Sequence, residues 1–287
     1  MTGYYKVADF CFAVKLLADR DLAVLLPSFC PFVLESGGEK LFELNETMSL
    51  PERPEAVLID EDRNDMGHTR VFRIGDGYRV ELRYVREDLV HVFETNADFT
   101  KVSAVICWED RYAPVALSSM LRIVFSQAII PHAAVSIHAS VVVNDGKAVL
   151  FMGKSGTGKS THTRLWLKHI PGSSLLNDDN PIVRVIDDKV IAYGSPWSGK
   201  TSCYKNESSP VAAFVRLKQA PYNEFALKED VDAFKVLLPG CSVIRQDPML
   251  HSSLCATLIA LSSLTKVGEL QCLPNKEAAE ICFKNCV

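Results

Sequence analysis

The chain has 287 residues, 48% of them hydrophobic and 23% charged, which is enough for one large or two medium globular domains with a sizeable core. That composition excludes a disordered chain, a collagen and a small disulfide scaffold. Lys and Arg total 31 against 35 Asp and Glu, so the net charge of -4 provides no positive field to gather phosphate backbones, and no nucleic-acid partner is expected.

The amino-terminal stretch is apolar but broken by Asp9, Lys15, Asp19, Arg20 and Asp21, too early for a signal-peptide core or a membrane span. The expectation is a cytoplasmic protein without a membrane partner. Nine cysteines are scattered without a CxxC pair, which reads as reduced, mostly buried thiols rather than a metal or redox framework.

From Tyr4 to about Asp110 the pattern is strand-like. Phe10, Phe12 and Val14 alternate, as do Val80, Leu82 and Tyr84, and Gly75-Asp76-Gly77 supplies turn chemistry. Residues 1–110 are read as an antiparallel β-rich domain, with the acidic stretch Glu52 to Met66 as a solvated loop beside a strand.

Between Pro114 and Ile130, Leu117, Leu121, Val124, Phe125 and Ala128 recur at spacings of three and four, the stripe of a helix packed on a sheet, and Pro131 ends it. SIHASVVV and KAVLFM flank Asn144-Asp145-Gly146, whose residues accept positive φ, so the two runs form a hairpin and the sheet is mixed. Further on, strand-like pieces (Val211 to Leu217, Val243 to Arg245, Glu269 to Leu273) alternate with helix-like ones (Glu229 to Leu237, Leu250 to Leu264, Lys276 to Asn285). Residues 111–287 therefore read as a second domain, and the fold class is α/β with a mixed sheet.

After KAVLFM comes Gly153-Lys154-Ser155-Gly156-Thr157-Gly158-Lys159-Ser160, an instance of GxxxxGK[ST] between a strand and a helix. Its glycines let successive N–H groups point into one concavity at a helix amino terminus, where a polyphosphate is bound. Gly153, Ser155, Gly156, Thr157, Gly158 and Thr161 are expected to line it, Lys159 to lie against the terminal phosphates, and the Ser160 hydroxyl to reach Mg²⁺.

Asp178 and Asp179 follow Lys159 by nineteen and twenty residues, after a short apolar run. One carboxylate there can hold Mg²⁺ and the other can take the proton of an attacking hydroxyl; successive side chains alternate, so the two face different ligands. Asp187-Asp188-Lys189 reads as a plain hairpin turn. His138 lies in the strand paired with the one entering the loop and is either a core residue or a neighbour of the phosphates. GSPWSGK, Gly194 to Lys200, either caps the core or delivers Lys200 to phosphate oxygens.

HASVVVNDGKAVLFMGKSGTGKST, the NDD after it and the PW loop together resemble the HPr kinase/phosphorylase and phosphoenolpyruvate-carboxykinase-like superfamily, over residues 115 to 287. The resemblance implies a mixed sheet flanked by helices, with His138, Lys159, Ser160, Asp178 and Asp179 as its site residues. Thr161 stands where the HPr kinases carry an acidic residue, and the amino-terminal part is not theirs; uncharacterised bacterial serine-kinase-like proteins are the nearer branch.

The expected activity is Mg²⁺-dependent transfer of phosphate between ATP, or another nucleotide or pyrophosphate, and a hydroxyl on a protein or small molecule. One of Asp179 and Asp178 is the base, the other holds the metal, and His138 is a secondary contact. An inactive nucleotide-binding module and a carboxykinase are the alternatives, and homo-oligomerisation is left open.

Overall fold

The structure, a computed structural model, describes residues 2–64, 67–85, 88–199 and 201–287. The chain divides into two compact units, Met1–Ile129 with Ile244–His251, and Ile130–Val243 with Ser252–Val287. Among the described residues no helix is long and apolar enough to cross a membrane.

The first unit contains β1 (Thr2–Val7), β2 (Phe10–Lys15), the short helix α1 (Leu22–Leu25), β3 (Val33–Leu34), β4 (Phe42–Glu46), β5 (Val57–Asn64), β6 (Gly67–Ile74), β7 (Gly77–Arg83), β8 (His91–Thr95), β9 (Lys101–Val105) and α2 (Ala113–Ala128). Its nine strands form one sheet in the order β3-β1-β2-β4-β9-β8-β7-β6-β5. The alternation of Phe10, Phe12 and Val14 buries Phe12 and Val14 on the core face, where Phe12 stacks on Phe42 at 4.8 Å and meets Phe125 of α2 edge-on at 5.8 Å.

Two expectations for this unit are corrected. The sheet is not purely antiparallel, because β4 runs parallel to both β2 and β9. The segment between β2 and β4 includes α1 and is long enough for the crossover that parallel pairing needs, a long-range choice that strand periodicity does not carry. The acidic stretch from Glu52 is not a loop throughout: Val57–Asn64 is the edge strand β5 on β6, with a register shift between Leu58 and Asp60. Acidic side chains suit a solvated edge, where they discourage further strand pairing. Asp65 and Met66 lie outside the described residues.

The second unit contains β10 (Ala134–Ser136), β11 (Ala139–Asn144), β12 (Lys147–Met152), α3 (Lys159–His169), β13 (Ser174–Asp179), β14 (Ile182–Ile186), β15 (Lys189–Tyr193), β16 (Ser208–Gln219), β17 (Glu224–Leu227), α4 (Asp230–Leu237), α5 (Pro248–Leu264), β18 (Lys266–Cys272) and α6 (Lys276–Cys286). Its sheet runs β10-β14-β15-β16-β12-β11-β13, with β18 also on β16 and β17 beyond it. β12, β16 and β18 are mutually parallel, whereas β11 pairs antiparallel with β12 and β13, so the sheet is mixed. Val149 and Phe151 of β12, Val215 and Leu217 of β16 and Leu270 of β18 share a buried core with Trp166 of α3 and Cys282 of α6.

Both expected hairpins form: β11 and β12 turn through Asp145 and Gly146, and β14 and β15 through Asp187 and Asp188, all four at positive φ. Val243 to Arg245 is not a strand. Its neighbours are bonded singly, Ser242 N donating to Ser136 O and Ile244 N to Gln127 Oε1, with no ladder. Of the nine cysteines, only Cys203, Cys241, Cys282 and Cys286 are buried; Cys30 is exposed and the other four are half-buried.

Candidate functional site

β12 is an inner strand of the second sheet, and its carboxyl end runs into the glycine-rich loop and then α3. Gly153 has φ 147°, and a Cβ there would stand 2.6 Å from Thr157 Oγ1, so glycine is required by both backbone and space. The loop is pinned by Thr157, whose N and Oγ1 both donate to Lys154 O at 3.1 and 2.8 Å. α3 then starts on Gly158 with no side-chain cap and no acidic residue in its first turn. Its first amide hydrogens lack an intrahelical acceptor, so the partial positive charge of the helix end faces the loop uncompensated. Ser155 and Gly156 are exposed on the loop, and Thr161 is half-buried in that first turn.

Lys159, the first residue of α3, folds back so that Nζ donates to Gly153 O at 2.9 Å. Burial lowers its pKa, only partly opposed by the carboxylates of Asp179 and Asp178. The ammonium is thus half out of water and held by a neutral carbonyl. An arriving anion gives it a stronger partner.

Asp178 and Asp179 close β13 and face different ways, as alternation requires. Asp178 is buried, and its Oδ1 accepts from Ser160 Oγ at 3.4 Å. Asp179 is more exposed: its Oδ1 lies 3.1 Å from His138 Nε2 and its Oδ2 accepts from Asn180 Nδ2 at 2.6 Å. Asp179 also has φ 133°, a region that residues with a Cβ rarely occupy. Such strain costs on the order of 1–3 kcal/mol and persists only where neighbours fix the backbone.

Those neighbours are the PW loop. Ser198 pairs with Asp179 by a β-bridge, and its Oγ donates to Asp178 O at 3.0 Å. Gly199 packs so close that a Cβ there would be 3.2 Å from Asp179 Cβ. Behind it Asn177, Ser195 and Trp197 are buried; Ser195 Oγ donates to Asn180 O at 2.7 Å, and Asn180 N donates to Asn177 Oδ1 at 3.1 Å. The loop is a cap that sets the acidic pair. Lys200 lies outside the described residues.

His138 does not sit within a strand, as expected, but one residue ahead of β11, where the chain leaves the β10–β14 pairing to join β12 and β13. Its N donates to Gly240 O at 2.7 Å, which replaces the lost ladder bond and leaves the ring beside Asp179. Gly153, Ser155, Gly156, Thr157, Gly158, Lys159, Ser160 and Thr161 thus occupy one loop and helix start, which Asp178 meets through Ser160. Asp179 with His138 stands beside Asp178. Sequence reading missed Asn177, Asn180, Ser195 and Ser198 as supports; the first two flank the acidic pair in the run NDDN and were legible only as turn formers.

Among the described residues no group of three or more His, Cys, Asp or Glu side chains is placed to hold a metal ion. Ser160 and Asp178 still fit Mg²⁺, which takes one or two carboxylates and completes its shell with waters and substrate phosphates. No family model and no curated protein matches this chain. Among solved structures, the Hpr(Ser) kinase/phosphatase from Coxiella burnetii is similar over 52% of this chain and 95% of its own, at 12% identity and a TM-score of 0.31.

Proposed function

We propose that the chain is a Mg²⁺-dependent phosphotransferase of the kind the carboxykinase-like phosphate-loop domain supports, moving a phosphoryl group from a nucleotide such as ATP to a hydroxyl of a protein or small molecule. The observation that carries this reading is the convergence of Ser160 and Asp178, 3.4 Å apart, with the His138–Asp179 pair, 3.1 Å apart, beside an uncapped helix start.

The loop amides and the amino end of α3 hold the phosphates, and Lys159 leaves the Gly153 carbonyl for their oxygens. Ser160 and Asp178 would hold Mg²⁺, whose charge offsets that of the phosphates. Asp179 accepts the proton of the acceptor hydroxyl as that oxygen bonds to the γ-phosphorus. The bond from phosphorus to the β–γ bridging oxygen breaks, and its electron pair leaves on the nucleoside diphosphate. His138 donates to Asp179 and fixes its orientation.

Nucleotide turnover assayed with Mg²⁺ and a panel of hydroxyl acceptors tests this. Acceptor-dependent turnover that is lost in Asp179→Asn is the expected result. Tight binding with no phosphoryl transfer to any acceptor makes the chain a binding module instead, and oxaloacetate formed from phosphoenolpyruvate makes it a carboxykinase.

A further inference from the structure

Lys159 is one cation at the start of α3, and a second stands one turn further along. Arg164 follows Ser160 by four residues and Thr161 by three, so it lies over both on the helix surface, and helix side chains lean toward the amino end. The guanidinium is turned that way: Nε donates to Ser160 O at 3.2 Å and Nη2 to Thr161 Oγ1 at 3.4 Å. Both acceptors are neutral and the residue is exposed, so a full positive charge stands within one hydrogen bond of the uncapped helix start. Lys159 is held in the same manner, by the Gly153 carbonyl at 2.9 Å.

The two cations serve different ends of the anion site. The sheet order puts β13, which carries the acidic pair, and β16 on opposite sides of β12, the strand that enters the loop. Asp178 and Asp179 are the charged neighbours of Lys159, and Asp178 meets Ser160. Thr161 instead lines a cavity of about 730 Å³ together with Leu217 and Gln219 of β16. A phosphate chain laid across the helix start therefore runs from Lys159 and Ser160 toward Thr161. A phosphate-loop lysine covers the two terminal phosphates, and the hydroxyl after it holds their Mg²⁺. A third phosphate lies past both, on the Thr161 side, where Arg164 is the cation at hand.

We infer that Arg164 is a specificity residue for the length of the phosphate chain: on binding it leaves Ser160 O and Thr161 Oγ1 for oxygens of the third phosphate, counted from the transferred end, and so favours a triphosphate donor over pyrophosphate. A guanidinium suits this role because its fork of donors matches two phosphate oxygens at once, where an ammonium offers a point charge. The inference rests on the phosphate-binding reading and adds the residue that chooses among phosphate donors.

Titration of the full chain with magnesium pyrophosphate and magnesium tripolyphosphate tests it, since the two probes differ by one phosphate and carry no nucleoside. Wild type should bind tripolyphosphate more tightly. Arg164→Gln should cut that margin about tenfold, the worth of a charge-assisted hydrogen bond, and leave pyrophosphate affinity unchanged; Arg164→Lys, which keeps the charge without the fork, should cut it less. Lys159→Ala should weaken both probes. The readout is the ratio of the two affinities, which a merely structural role for Arg164 on the surface of α3 does not move, although it can shift the thermal midpoint or both affinities together. Equal wild-type affinity for the two probes, or a ratio unchanged in Arg164→Gln, overturns the inference and leaves the phosphate loop intact. If neither probe binds wild type, the phosphate reading falls first and this one with it.

Discussion

Each unit carries a nine-stranded sheet, and the glycine loop with its uncapped helix start lies in the second. In the first, β5 through β9 form a meander, and charged side chains answer one another: Glu94 lies between Arg53 and Arg79, at 2.7 and 2.9 Å. In the second, β12 and β13 run in the same direction on either side of β11, so the chain crosses between them through α3, and a strand end and an uncapped helix start meet at one loop. The difference follows from the connection between strands and not from sheet size. At that loop the Lys159 ammonium is held by the neutral Gly153 carbonyl.

The largest effect is expected at Asp179. Asp179→Asn should cost about 10²–10⁴ in turnover, the range of general-base loss, with nucleotide affinity little changed. Asp179→Gly should abolish turnover equally while raising stability, because glycine accepts φ 133° without the strain of about 1–3 kcal/mol. Turnover assays beside urea denaturation check both; an Asp179→Gly chain no more stable than wild type means that the backbone there is not strained.

Lys159→Ala comes next, with turnover down at least about 10²-fold through lost transition-state charge stabilisation. Its stability effect has the opposite sense to an ordinary ion-pair deletion. A lysine whose pKa is lowered holds its proton less tightly folded than unfolded, so charged Lys159 opposes folding at neutral pH. The midpoint of thermal unfolding should therefore stay level or rise. Glu94→Gln, its counterpart in the first unit, should do the reverse: about 1–3 kcal/mol of stability lost and nucleotide binding untouched.

That contrast also marks what the sequence could carry. The glycine loop was legible because its requirement is local: three glycines, a lysine and a hydroxyl, contiguous between an apolar run and a helix. The hairpins at Asp145-Gly146 and Asp187-Asp188 were legible for the same reason. The parallel placement of β4 was not, since it joins residues far apart in the chain, nor was the seat that Ser195 and Ser198 make for the acidic pair. The depressed pKa of His162 offered no signal, because it comes from burial against Phe151 and Trp166.

A smaller effect separates the units by pH. His162 sits against Phe151 and Trp166, and burial holds its folded pKa near 4, below the unfolded value of 6.5. The unfolded chain takes up that proton first, so stability is lost as pH falls from about 6.5 toward 4. For Glu94, burial raises the pKa but the hydrogen bonds from Arg53 and Arg79 prevail and lower it on balance. Its contribution is present above the ordinary carboxylate range and is lost only as pH falls through the depressed value. Urea midpoints measured between pH 7 and 3 should thus show a first decline that His162→Phe removes and a second that Glu94→Gln removes.

The smallest effect concerns the turns. Asp187 and Asp188 sit at φ 48° and 57°, as Ala8 and Asp9 do at 47° and 64° in the first sheet, so both hairpins use turns with two positive-φ residues. Aspartate tolerates that region because its side chain bonds locally, whereas alanine pays the full steric cost of about 1–2 kcal/mol. Glycine avoids the cost but gives the unfolded chain more freedom, about 0.4–1 kcal/mol of it. The two terms nearly cancel for Asp188→Gly, which should remain within about 0.5 kcal/mol of wild type, while Asp188→Ala should lose about 1 kcal/mol. Since β14 carries no phosphate-loop residue, nucleotide affinity should be unchanged in both variants. An Asp188→Ala chain as stable as wild type would mean that positive φ at this turn costs nothing, and the antiparallel edge of the second sheet would then owe its register to β10 and β16 alone.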